Sequence, residues 1–140
     1  MTMSMFKKVV VAMTVGVVSH TAIACKSVPV TTIDAVRDIA AAHGGYPLSD
    51  AQCAVLNKHH LSLLIDGQGV VLNGVNVAWA VVRIANAKMV VSDVSSGSAW
   101  VGNNVASQDN ANDGFYRVLG EVISKLDWAK AVGQVSSGAE

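Results

Sequence analysis

Two apolar runs flank the dipeptide Asn73-Gly74, and this arrangement constrains the fold more than any other feature of the chain. Asparagine and glycine both tolerate positive φ, which a two-residue hairpin turn requires. The run that follows, residues 75–85, is rich in valine and contains Trp79, as expected of a long strand. The sequence therefore predicts an antiparallel hairpin near the centre of the chain, with Trp79 in the core.

Further strands are predicted on both sides of this hairpin. Before it, apolar residues recur at every second position from Leu61 to Ile65, which is the period of a half-buried strand. Together the segments predict a three- to four-stranded antiparallel meander. In order they are a strand at 61–65, a turn at Gly67-Gln68-Gly69, a strand at 70–72 and, after residue 85, a strand at 89–94, a turn at 95–97 and a strand at 98–101.

Two short helices are predicted before the first strand. One is capped by Thr31 or Thr32 and stops at Gly44-Gly45, because glycine accepts the left-handed conformation that ends many helices. The other begins at Ser49, and Gln52 three residues later completes a capping box, in which each side chain accepts a hydrogen bond from the other residue's backbone.

A longer amphipathic helix is predicted near the C-terminus. The Gly-, Asn-, Asp- and Ser-rich residues 102–114 predict a solvent loop, and Asn112 or Asp113 then caps a helix over residues 115–126. The apolar stripe of this helix would cover one face of the sheet. Residues 133–140 are predicted to form a flexible tail. The expected fold class is α+β, an antiparallel meander packed against two or three helices.

The first 24 residues have the organisation of a secretory signal peptide. Two lysines precede an apolar run at residues 9–18, and an Ala-Ile-Ala sequence ending at residue 24 supplies small residues for cleavage. The apolar run is too short for a bilayer, which needs about 20 residues. We therefore expect residues 1–24 to be removed on export, leaving residues 25–132 as a single domain in the bacterial periplasm.

The chain has two cysteines, Cys25 and Cys53, which allow two interpretations. In an oxidising compartment they are predicted to pair and to close a loop of about 29 residues, which corresponds to roughly 3–4 kcal/mol in the chain-entropy model. The alternative is a lipid anchor on Cys25, since Ala24-Cys25 resembles the end of a bacterial lipoprotein box. Ala22 stands where that box normally has leucine, and lipidation would leave Cys53 without its partner, so the disulfide is favoured.

Composition and motifs argue against several classes of function. Ten basic and ten acidic residues cancel, whereas a nucleic-acid binder needs a surplus of cations. Adjacent His59 and His60 would point about 100° apart on a helix and could not share one metal ion. Ser96-Gly97-Ser98 lacks the frame of a serine-hydrolase elbow. We therefore predict a protein that is not an enzyme and that uses neither a metal nor a cofactor.

A pattern in the second half of the chain suggests a family. An aspartate, a Ser-Gly turn and a tryptophan are followed by a polar loop and a closing helix; the residues are Asp93, Ser96-Gly97, Trp100, Gly102 and the helix at 115–126. Over residues 55–126 the chain resembles small bacterial envelope lipoproteins of the penicillin-binding-protein-activator and curli-assembly kind. The resemblance implies a non-catalytic envelope protein that acts by binding another protein in an assembly or accessory role.

The polar loop and the tryptophan beside it form the predicted partner-binding site. Loops carry recognition more often than the elements they join, and an exposed tryptophan can anchor a partner. An alternative function is that of a periplasmic inhibitor or immunity protein directed against a cell-wall-degrading enzyme, and a third is small-ligand binding between sheet and helix. The predicted partner-binding residues are Trp100, Asn103, Asn104, Asp109 and Asp113.

Overall fold

The computed structural model describes residues 30–136, which form four helices and one four-stranded sheet. The predicted signal peptide and Cys25 lie outside this range. None of the helices in residues 30–136 is long and apolar enough to cross a membrane. In chain order the elements are β1 (Val30–Thr31), α1 (Asp34–Ala42), α2 (Asp50–Lys58), β2 (Ser62–Leu72), β3 (Val75–Ala85), β4 (Val91–Gly102), α3 (Gln108–Lys125) and α4 (Trp128–Ser136).

The sheet has the order β1-β2-β3-β4 and confirms the α+β class. β2, β3 and β4 form the predicted antiparallel meander, and Asn73 and Gly74 turn the first hairpin with φ of 49° and 76°. The meander is not the whole sheet, because β1 pairs in parallel with β2 at Leu63 and Leu64. The sheet is therefore mixed, and four helices pack with it where two or three were expected.

Two predicted turns within the sheet are wrong. β2 runs straight through Gly67-Gln68-Gly69, and β4 runs through residues 95–97 in regular register with β3. The glycines of β2 supply space rather than a turn. A Cβ on Gly67 would lie 2.8 Å from the Phe115 ring, and one on Gly69 would collide with the carbonyl oxygen of Ala111. Glycine at these positions lets α3 lie close against the strand.

The two N-terminal helices end and begin largely as predicted. Ser49 Oγ accepts from the backbone N–H of Gln52 at 3.2 Å, and Gln52 Oε1 accepts from the Ser49 N–H at 2.8 Å, which confirms the capping box. Gly44 and Gly45 follow α1 with φ of 86° and 127°, confirming the glycine stop. The predicted threonine cap is wrong, because Ile33 occupies the N-cap position and provides no side-chain hydrogen bond.

Helix α3 begins seven residues earlier than predicted, at Gln108 instead of residue 115. Ser107 is its N-cap, and its Oγ accepts from the backbone N–H of Asn110 at 3.1 Å. Residues 108–114 are therefore helical, and the loop is reduced to residues 103–107. The polar composition misled the prediction because only Ala111 and Gly114 of residues 108–114 are buried, while the amide and carboxylate side chains of this segment lie at the surface.

Helix α4 corrects the predicted start of the flexible tail. It extends through Ser136, and Ala131 and Val135 are fully buried in the core. Trp128, at the start of the helix, donates from Nε1 to the backbone oxygen of Ile123 at 3.0 Å, which fixes the bend between α3 and α4. The folded domain therefore includes residues 133–136, and residues 137–140 lie outside the described range.

The core lies on one side of the sheet, between the strands and the helices. Alternate strand residues point into it, and both Ala80 of β3 and Phe115 of α3 are fully buried there. Trp79 belongs to the opposite set of β3 residues, so its predicted place in the core is wrong. The main buried apolar side chains are Leu63, Ile65, Val82, Ile84, Val118, Leu119, Val122 and Ile123, with Val36 of α1 and Leu56 of α2.

Candidate binding surface

Trp100, the predicted anchor, is partly buried and packs against the core. Its ring lies on the helix side of β4 and fills the space beside two glycines, Gly102 of β4 and Gly114 of α3, where any Cβ would overlap the ring. The guanidinium carbon of Arg117 stands 4.7 Å from the ring centroid, in a cation–π contact. These contacts give Trp100 a packing role within the domain, and its role as an anchor for a partner stays a prediction.

Two more of the predicted site residues also have partners within the domain. Asn104 Oδ1 accepts from Nδ2 of the buried Asn76 at 2.8 Å, and Asp113 Oδ1 lies 3.1 Å from Nε2 of His43. Asn104 and Asp113 line a pocket of about 240 Å³ next to Trp100. Asn103 and Asp109 are exposed, and Asp109 does not line this pocket. A binding role for this group stays a prediction.

A groove of about 600 Å³ lies between α1, β2 and the start of α3. Apolar side chains of α1, including Ile33, Val36 and Ile39, form one wall, and Asp38, Asp109 and Asp113 lie along it. His43 closes one end with both ring nitrogens facing acceptors, the Ile39 carbonyl at 2.9 Å and the Asp113 carboxylate at 3.1 Å. The groove has the volume of a small-ligand site. At one end of it the His43–Asp113 contact links the end of α1 to α3.

Tyr116 of α3 strengthens this link between α1 and α3. Its ring stacks on His43, with centroids 4.1 Å apart and planes 13° from parallel. Its hydroxyl donates to the backbone oxygen of Gly45 at 2.9 Å. Burial raises the pKa of Tyr116, and burial also raises that of Tyr46, where nearby Arg37 opposes the shift.

We expect the protein to lose stability in alkali and expect Tyr116→Phe to reduce that loss. A tyrosine whose folded pKa lies above its unfolded value of about 10 contributes stability below pH 10, which disappears as the pH rises through the folded pKa. The variant should be less stable at pH 7 by about 0.5–1.5 kcal/mol, since one hydrogen bond is lost. Urea unfolding between pH 7 and 11 measures both effects. An unchanged alkaline slope would exclude Tyr116 as its source.

The face of the sheet opposite the core has a series of exposed and half-exposed apolar side chains. No helix of residues 30–136 packs on it, and register places its side chains next to one another, Leu72 opposite Val75 and Val77 opposite Val101. Leu72 is 53% exposed and Val101 is 62% exposed. We call this surface the open face; its apolar residues are Leu64, Val70, Leu72, Val75, Val77, Trp79, Val81, Ala99 and Val101.

One end of the open face contains a depression of about 420 Å³. Ile33 and Met89, each 59% exposed, lie at its sides. Asp66 of β2 and Arg83 of β3 line it from the sheet, and neither forms an ion pair with another described residue. The depression therefore combines apolar sides with one acidic and one basic side chain.

No family model, curated protein or solved structure matches this chain. The residues from 30 to 136 contain no group of three or more His, Cys, Asp or Glu side chains placed to hold a metal ion. The candidate surface is therefore defined by its geometry alone.

Sequence reasoning missed the open face because it placed Trp79 in the core. The strand β3 alternates between Ala78, Ala80 and Val82 on one side and larger residues on the other, so apolar character alone does not separate its two faces. Arg83 was the residue that could have identified the solvent-exposed face of β3. Because side chains alternate along a strand, Arg83 shares a face with Trp79 and Val81, and a charged side chain indicates that this face contacts solvent.

Proposed function

We propose that this chain is a non-catalytic exported protein of the bacterial envelope that acts by binding another protein through the open face. The observation that carries the proposal is the open face itself, on which apolar side chains of three strands adjoin while the helices of residues 30–136 pack on the opposite side. Contiguous exposed apolar patches on small domains mark interaction sites, since leaving them in water is unfavourable.

Trp79 makes the open face suited to a protein partner. It lies on the central strand, opposite Gln68 of β2 and Ala99 of β4, so that smaller side chains surround it. A tryptophan that is half-buried in its own domain loses little freedom on binding and can bury its remaining area against a partner. The face has no basic cluster, which makes nucleic acid a poor occupant.

The proposed location in the envelope rests on the predicted signal peptide and on the resemblance to envelope lipoproteins. An assembly or accessory role follows from that resemblance. The inhibitor alternative leads to the same surface but to a different partner, so identifying the partner separates the two. A synthase or secretion component supports the accessory role, whereas a peptidoglycan hydrolase supports inhibition.

We expect Trp79→Ser to weaken partner capture at least tenfold while leaving the fold intact. The residue lies outside the core cluster, so its loss removes contact area on the open face rather than core packing. Tagged wild-type and variant proteins would be compared for cross-linked partners from the periplasm of the source bacterium by quantitative mass spectrometry. Melting temperature would be measured on the same samples.

A matched pair of leucine and valine variants tests whether partner capture depends on the open face. Leu72→Ser removes an exposed apolar side chain from the open face, and Val105→Ser removes one that is 80% exposed on the loop between β4 and α3. Only Leu72→Ser should reduce capture. Equal recovery of a partner by wild type, Trp79→Ser and Leu72→Ser would contradict the proposed surface.

A further inference from the structure

Strand β4 forms a long outer edge of the sheet. It has twelve residues, pairs with β3 on one side only, and carries one charged side chain, Asp93. Proteins usually protect such edges with charges, proline, bulges or covering elements, because unpaired backbone groups form a template for another strand. The composition of β4 provides almost none of this protection.

Other parts of the sheet edges are covered at single points, unlike residues 95–101 of β4. On the opposite edge, β1 pairs with β2, and Gln108 Nε2 donates to the Gly69 carbonyl at 2.7 Å. The first part of β4 bulges away from β3, and Gln134 Oε1 of α4 accepts from the backbone N–H of Asp93 at 3.0 Å. No side chain of residues 30–136 makes a corresponding contact with the backbone of residues 95–101.

We propose that the edge formed by residues 95–101 pairs with the same edge of a second copy of this chain. The two strands run antiparallel about a two-fold axis at Ser98, so that Ser98 lies opposite its own symmetry mate and Gly97 lies opposite Ala99 of the other copy. Seven residues pair in this register and form roughly six to eight backbone hydrogen bonds. The two sheets become one continuous sheet of eight strands.

A second copy fits this edge better than an unrelated strand because the edge is self-complementary. Side chains around the axis are small, namely Ser96, Gly97, Ser98 and Ala99, so neither copy obstructs the other. The segment has no charge, and in this register the two Asp93 side chains stand at opposite ends of the pair. The contact leaves Trp79 uncovered and sets two open faces side by side, so the dimer is independent of the proposed partner binding and would present two partner sites.

The test introduces opposite charges beside the axis. In the proposed register Ala99 and its symmetry mate are diagonal neighbours on one face, about 7–8 Å apart. Ala99→Lys and Ala99→Glu should each raise the dimer dissociation constant at least tenfold by like-charge repulsion, and a 1:1 mixture should restore dimers. Ser95→Lys is the matched control, because residue 95 of one copy lies about 20 Å from residue 95 of the other, beyond the Debye length of about 8 Å. Sedimentation equilibrium at 1–200 µM would be measured for the wild type, the three variants and the mixture.

Three outcomes would overturn the proposal. The first is wild-type protein that stays monomeric across this concentration range, and the second is a mixture of the two charge variants that remains monomeric. The third is a dimer that Trp79→Ser abolishes, since that dimer would use the open face. Dimerisation that survives Trp79→Ser while partner capture is lost supports the edge contact, and it separates this result from that of the proposed function.

Discussion

Gly114→Ala should destabilise the domain by about 1–3 kcal/mol, although alanine is the better helix former by about 1 kcal/mol. The reason is steric: a Cβ at this position would overlap the six-membered ring of Trp100, which lies against the helix backbone. The ring cannot simply withdraw, because Gly102 and Arg117 confine it from other sides. Equilibrium unfolding in urea, followed by tryptophan fluorescence, measures the change.

Two variants control this experiment. Gly133 is also helical, but a Cβ there meets nothing within 4 Å, so Gly133→Ala should stabilise the protein by up to about 1 kcal/mol. In a Trp100→Ala background the obstructing ring is gone, and Gly114→Ala should then be neutral or stabilising. A Gly114→Ala effect of the same size with and without the Trp100 ring would show that the collision is not its cause.

The predicted Cys25–Cys53 bond should contribute an amount on the order of 2–4 kcal/mol to stability. Cys53 is buried on α2, and no free cysteine is found within residues 30–136, while Cys25 lies outside them. Cys25→Ser should therefore lower the free energy of unfolding by that amount without disturbing the buried position of Cys53. Unfolding of wild type and variant, each with and without reductant, measures it.

Reductant should destabilise the wild type and leave Cys25→Ser unchanged. Intact mass should correspond to residues 25–140 and should be two hydrogens below that of the reduced chain. A diacylglycerol adduct on Cys25 would instead establish the lipoprotein alternative and exclude the bond. Identical melting of the wild type in oxidising and reducing buffer would also count against the bond.

Local signals predicted the parts of the fold that local interactions determine. The Asn73-Gly74 turn, the bounds of β3 and the capping box at Ser49 each depend on residues close in sequence, and each was predicted correctly. The turn predicted at Gly67 and Gly69 is wrong because the atoms that require glycine there belong to other elements. They are the Trp79 carbonyl of β3 and the Phe115 ring for Gly67, and the Ala111 backbone of α3 for Gly69. Nothing near these glycines distinguishes a turn from a strand that must admit a helix.

The candidate surface was harder to predict than the fold. Trp100 was selected for its neighbourhood in sequence, but the glycines that enclose it come from two elements, β4 and α3. Trp79 was assigned to the core because valine-rich strands alternate weakly, and only the pairing with β2 and β4 shows which face the helices leave uncovered. Whether an aromatic side chain is an anchor or a packing residue depends on tertiary neighbours, which spacing does not contain.

The position of α3 and α4 after the strands bears on the order in which the domain folds during synthesis. Phe115, Leu119 and Val135 supply the side of the core that faces the sheet, so a nascent chain that ends before them cannot bury Val36 or Leu56. Synthesis at about 5–20 residues per second delivers the strands before these helices. The ribosome therefore exposes the core face of the sheet to water until α3 and α4 emerge to cover it.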